Sequence, residues 1–203
     1  MHNKTIIDKD RICLTGKIYF DPDDKTSKHK SQASWKKMAM VVIKGDVTEY
    51  YAWFIKKRFG LELTKPLRGA HISFINDSID EMITHCNTKA EKVALWDKVK
   101  KKYHRKEIQI VLDIKPHIET PHWWLIVPHD ERGELQAIRD ELGFINKKTG
   151  LSKPFFGMHM TIGNAVDRKP EVRNDAGATT AKKMNVAHSD YIADLIGKGQ
   201  IKF

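Results

Sequence analysis

Apolar and polar residues follow one another along this chain in two rhythms, one of strand type and one of helix type. Residues 11 to 20 read as a strand, and Asp21-Pro22-Asp23-Asp24 punctuates them as a turn before a polar stretch from Lys25 to Ser34. Met38 to Ile43 is a compact apolar run, as expected of a buried central strand. Asp46-x-x-Glu49 then forms a capping-box signal for a helix from Val47 to Phe59, which Gly60 would close. Thr88-x-x-Glu91 repeats that signal ahead of Val93, Leu95, Trp96 and Val99. Glu107 to Ile114 alternates as a half-buried strand does, with Trp123 to Val127 expected as its antiparallel neighbour. Asp130 is placed to cap a third helix that runs through Leu142 and ends at Gly143.

Two apolar runs remain, each preceded by a helix, and they contain the same short pattern: His71-Ile72-Ser73 and His159-Met160-Thr161. In a strand, residues i and i+2 point to one face, so each tripeptide presents an imidazole beside a hydroxyl. The surroundings match as well, with Gly69 and Gly157 two residues before each His and Asn76 and Asn164 closing each run. His29-Lys30-Ser31 also fits the pattern but lies in the polar stretch, which shows how little a lone copy means. Strands alternate in any case, and a solvent-facing His and Ser would be the bland explanation for one copy; two copies in matched apolar contexts suggest duplicated lobes with a shared chemistry.

Two such pairs converging on one cleft are the equipment needed for metal-free phosphodiester chemistry. That chemistry needs a base for the nucleophile, an acid for the departing oxygen and donors for charge on the non-bridging oxygens. Imidazoles titrate near neutral pH and can divide the first two tasks. The Ser73 and Thr161 hydroxyls can supply the donors.

The predicted plan is α+β, with residues 1 to 167 as one domain of two small lobes, an N-terminal hairpin over about 11 to 43, and residues 168 to 203 as an appended, partly ordered tail. Net charge is +10, from 36 basic and 26 acidic residues, which suits a phosphate-bearing partner. Much of that excess lies in Lys98 to Lys106, where a solvated helix end explains it equally well. Cys13 and Cys86 lack metal spacing and are expected to be reduced, as in a cytoplasmic protein. No apolar run approaches the roughly 18 residues of a membrane span, and the start shows no signal-peptide core. A soluble protein with no membrane association, no cofactor, no metal and no obligate protein partner is expected.

The paired His-x-Ser/Thr motifs resemble the signature of the two-histidine phosphoesterase superfamily, over about residues 36 to 167. Glu49 to Ile55, Pro66 to Ser73, His122-Trp123-Trp124-Leu125 and His159 to Asn164 are more closely similar to the phage anti-CBASS branch of that superfamily. The resemblance implies a pseudo-symmetric, two-lobed fold with antiparallel sheets around a central cleft. It also implies metal-independent opening of a 3′–5′ linkage in a cyclic di- or trinucleotide immune signal, by attack of a ribose 2′-OH through a 2′,3′-cyclic phosphate. His71, Ser73, His159 and Thr161 would be the catalytic residues.

A small nucleotide needs stacking surfaces. Trp123 and Trp124 are adjacent in a strand and face opposite ways, so one can line a cleft and the other belongs to the core. Tyr19 and Trp35, in the N-terminal hairpin, are further substrate-binding candidates, while Trp53 and Trp96 are expected in the core. Three rival readings stay in view: a phosphodiesterase acting on RNA ends through the same four residues, a non-catalytic module that grips RNA or cyclic nucleotide with the basic surface and Trp residues, and a metal site drawn from His104, His117, His122 or His129. The last lacks any recognisable spacing. Neither Cys has a neighbouring base to make it a nucleophile.

Overall fold

The computed structural model describes residues 5–8, 10–22, 37–66, 68–76, 79–83, 85–119, 122–152 and 157–166. Trp35 and the tail from 168 onward lie outside them. The chain divides into two compact units, each assembled from three stretches of sequence: 1–44, 71–112 and 127–159 in the first, and 45–70, 113–126 and 160–203 in the second. Among the described residues the elements are three α-helices and antiparallel strand pairs, an α+β composition.

In the first unit, β1 (Thr5–Asp8), β2 (Arg11–Phe20), β3 (Met38–Ile43) and β5 (His71–Asn76) pair in that order. The expected N-terminal hairpin is present, with Gly16 opposite Ile43 and Phe20 opposite Ala39. Leu14, Ile18 and Phe20 of β2, Ala39 and Val41 of β3, and Ile72 and Phe74 of β5 are buried, which makes β3 the central strand its composition predicts. A short antiparallel pair joining segments distant in sequence, β6 (Asp80–Met82) with β10 (Phe144–Asn146), was not visible as a periodic pattern.

Helix α2 (Lys89–Tyr103) begins with the reciprocal capping box expected at Thr88 and Glu91. It buries Trp96 and Val99. Helix α3 (Gly133–Leu142) ends at Gly143 in the left-handed conformation, as predicted, but it starts later than expected. Asp130 is not its cap; it sits in a single 3₁₀ turn, His129–Glu131, and pairs with Arg11 at 3.1 Å. Of the basic run, Lys100 pairs with Asp21, Lys102 with Glu141 and Lys106 with Glu134, so much of that charge is spent within the unit.

The second unit holds α1 (Val47–Phe59), β4 (Glu62–Thr64), β8 (His117–Glu119), β9 (His122–Ile126) and all of β11 (His159–Val166) after its first residue. β4 and β9 flank its strands as antiparallel partners of β11 and β8 respectively. β7 (Glu107–Asp113) pairs with β2, and β9 pairs with β8, which corrects the expected β7–β9 neighbourhood. Strand composition specifies that a segment pairs; the partner is chosen by long-range packing.

Helix α1 ends at Gly60 with a left-handed φ of 69°, but its expected capping box is absent. Asp46 makes no side-chain cap bond, and Glu49 pairs with Lys65 at 2.8 Å instead. The helix buries Val47, Thr48, Tyr51 and Ile55. Trp53 follows Tyr51 by two residues, a turn of about 200°, and so faces outward. It is 56% exposed, which overturns its assignment to the core; Trp96, in the other unit, is fully buried as expected.

Candidate functional site

The first motif is shaped by an irregularity in β5. Ile75 pairs with Ala39 and Ser73 with Met40, so Phe74 is an extra residue without a partner on β3. Such a bulge shifts the phase of the side chains. Phe74 and Ile75 are consequently both buried, while His71 and Ser73 share the opposite, half-buried face.

The bulge leaves the Phe74 carbonyl off the β3–β5 ladder, and a buried polar group without a partner is costly. Arg139 of α3 supplies the donor, with Nη1 at 2.5 Å from that oxygen. The same guanidinium forms a bidentate pair with Asp80 at 2.9 and 3.0 Å and donates from Nε to the Ser152 carbonyl at 2.6 Å. Asp80 in turn accepts from the backbone N–H of Asn76, the last residue of β5, at 3.0 Å. Arg139 and Asp80 are both buried, so the far side of the motif strand is built on a desolvated but fully engaged ion pair. No local pattern could have revealed it, since its members are 59 positions apart.

Strand register extends the His71 face across the first unit. His71 lies opposite Val42, which lies opposite Lys17; Ser73 lies opposite Met40, which lies opposite Tyr19. Directly paired residues share a face. Lys17 and Tyr19 therefore stand two strands, about 10 Å, from His71 and Ser73 on the same side of the sheet. Lys17 has no carboxylate within ion-pair distance among the described residues and was missed in the sequence, where it is one lysine among many. Tyr19 is half-buried, its ring edge-on to His104 at 5.7 Å. Burial, helped by Lys100 and Arg105, lowers the His104 pKa, and its Nδ1 accepts from the Phe20 N–H at 3.1 Å.

The second motif opens β11. His159 and Thr161 share a half-buried face, while Met158, Met160 and Ile162 are buried behind it. Gly157, with φ of 72°, takes the left-handed conformation that a side chain would strain. The His159 Nδ1 is 3.4 Å from the Gly157 carbonyl oxygen, which can only accept in that contact. Downstream, a Cβ on Gly163 would lie 2.3 Å from the Thr64 carbonyl oxygen, so only glycine lets β4 approach β11 so closely. Asn164 does not close the strand as expected, since β11 runs on to Val166; its Oδ1 lies 2.6 Å from the His122 Nδ1.

Of the two adjacent tryptophans, Trp123 is the core member, fully buried with its ring 6.0 Å from Phe59. It therefore drops out as a substrate contact. Trp124 is half-buried on the face it shares with His122, directly opposite His117 on β8. Of His104, His117, His122 and His129, His104 accepts from the Phe20 N–H at the end of α2 and His122 contacts Asn164. Among the described residues no group of three or more His, Cys, Asp or Glu is placed to hold a metal ion. No described helix is long and apolar enough to cross a membrane.

Each motif strand thus presents one imidazole and one hydroxyl together, with apolar residues behind, which is the equipment for proton transfer combined with donation to an anionic oxygen. No family model, curated protein or solved structure matches the chain.

Proposed function

We propose that this chain is a metal-independent phosphodiesterase of the two-histidine type, with the two-lobed fold of that superfamily, that opens a 3′–5′ linkage in a cyclic di- or trinucleotide signal. Acting on such a signal in the host cytoplasm, it would counter CBASS-type defence. The observation that supports the reading is the shared strand face of each pair, His71 with Ser73 and His159 with Thr161. In this reading His71 and His159, both in the first unit, act on one phosphate.

One imidazole removes the proton of the ribose 2′-OH, whose oxygen attacks the adjacent phosphorus. The other protonates the departing 5′-oxygen as the P–O bond breaks. Ser73 and Thr161 donate to the non-bridging oxygens, where charge grows in the transition state. The product is a linear oligonucleotide with a 2′,3′-cyclic phosphate, which water can open with the imidazole roles exchanged. Lys17 and Tyr19, in register with the first pair, and Trp124 are the residues offered for phosphate and base contact.

The test combines substrate and enzyme variants. Cyclic dinucleotides with ribose should be cleaved in excess EDTA, and their 2′-deoxy analogues should bind but resist. His71→Ala and His159→Ala should each lower turnover by about 10²- to 10⁴-fold with the fold intact. Cleavage of the deoxy analogue would refute 2′-OH attack, near-normal activity of either His variant would refute the two-histidine mechanism, and preference for RNA ends over cyclic substrates would refute the substrate assignment.

A further inference from the structure

We infer that the cavity at the start of α3 is a phosphate-binding subsite, with Arg132 as its anion-holding residue. The inference rests on the phosphodiesterase reading for its ligand class. The cavity, about 580 Å³, is lined by Arg132, Gly133, Gln136, Asp140, Leu151 and Ser152, all in the first unit.

Arg132 lacks the counter-charge that several cations of this unit have. Arg11, Lys100, Lys102, Lys106 and Arg139 each face a carboxylate, whereas no carboxylate lies within 4.0 Å of Arg132 among the described residues. Its one hydrogen bond there is a long one, 3.5 Å from Nε to the Val127 carbonyl oxygen, which leaves the Nη donors to be satisfied. The side chain is half-buried, and desolvation pushes its pKa down from the ordinary arginine value. A guanidinium partly withdrawn from water, with no counter-charge beside it and its Nη donors open to the cavity, is a group that a bound anion would stabilise.

Its position gives that anion a purpose. Nη2 stands 2.9 Å from where a Cβ on Gly157 would be, so the guanidinium packs directly on the residue whose carbonyl faces the His159 ring. The other side of the cavity is ready to donate. Gln136 Nε2 donates to the Ser152 Oγ at 3.2 Å, which leaves the Ser152 hydroxyl hydrogen free to point elsewhere. Asp140 is the one acidic wall residue; its Oδ1 accepts from the Gln136 amide at 2.9 Å. A phosphate entering here meets Arg132 and the Ser152 hydroxyl as donors, and Asp140 as a charge that opposes it.

Titration calorimetry of the full chain with inorganic phosphate at low salt tests the subsite without reference to turnover. Wild type should bind, Arg132→Gln should weaken binding by at least about tenfold, and Arg132→Lys should recover part of the loss, because charge returns without the two-pronged geometry. Asp140→Asn, a surface change that spares the fold, should tighten binding about two- to fivefold by removing a like charge. No phosphate binding by wild type, or equal binding by Arg132→Gln and Asp140→Asn, would overturn the inference. Phosphate binding by His159→Ala is measured alongside its turnover. Retained turnover in that variant would defeat the catalytic reading alone, while the subsite stands or falls on the phosphate titrations.

Discussion

Strand β5 is anchored from behind by a fully buried guanidinium that satisfies a bulge carbonyl, whereas β11 is anchored at its far end by a glycine contact and an exposed imidazole. The tripeptides they carry are nearly the same, and each strand has an asparagine at the same distance after its His, Asn76 and Asn164. In β5 that asparagine gives its backbone N–H to Asp80; in β11 it offers its side-chain carbonyl to His122. A buried charge pair is all-or-nothing, since removing one partner leaves the other desolvated and alone. An exposed hydrogen bond is replaced by water at little cost. Identical motifs can therefore rest on supports that fail in different ways.

The largest expected effect follows from the first support. Arg139→Ala should destabilise the protein by about 3–5 kcal/mol, because Asp80 is left buried without its counter-charge and the Phe74 carbonyl without a donor. Arg139→Lys should recover only part of this, since an ammonium cannot span Asp80, Phe74 and Ser152 together. Denaturant melts would measure both, and a loss below about 1 kcal/mol for the alanine variant would remove the contrast between the strands.

A second effect belongs to the other unit. The Tyr51 hydroxyl donates to the Ile114 carbonyl oxygen at 2.6 Å, and burial, with Tyr50 adding to it, raises its pKa from 10.0 to about 12. The folded state holds that proton more tightly than the unfolded chain does. Its contribution, on the order of 2–3 kcal/mol, is fully present below pH 10 and is lost as pH rises toward 12. Stability measured across that window should fall less steeply in Tyr51→Phe, and equal slopes would contradict the assignment.

Smaller again is Gly163→Ala. The added methyl meets the Thr64 backbone oxygen, which cannot swing aside as a side chain would, and a loss of about 1–3 kcal/mol is expected. Alanine tolerated without loss would show that β4 can retreat. The smallest effect is expected from Asn164→Ala, about 0.5–1.5 kcal/mol, because His122 is exposed and water can replace its partner. A cost as large as that of Arg139→Ala would mean that the two strands are held alike.

What was legible in the sequence is what short-range physics controls. The motif strands, the Gly60 and Gly143 helix ends and the Thr88 capping box each depend on residues within a few positions of one another. So does the side-by-side placement of His71 with Ser73 and of His159 with Thr161, which follows from strand alternation. Tertiary partners decided the rest. Asp130 and Glu49 had the right chemistry for caps, but Arg11 and Lys65 lie within reach and pair with them instead. Alternation showed that Trp123 and Trp124 face opposite ways, yet only packing against Phe59 settled which of them is core. Helical periodicity could not orient α1 until its buried face was chosen, and Trp53 went outward with that choice. The bulge at Phe74 and the Arg139–Asp80 pair left no local trace, because a guanidinium, a carboxylate and a strand carbonyl distant in sequence meet only once the chain has folded.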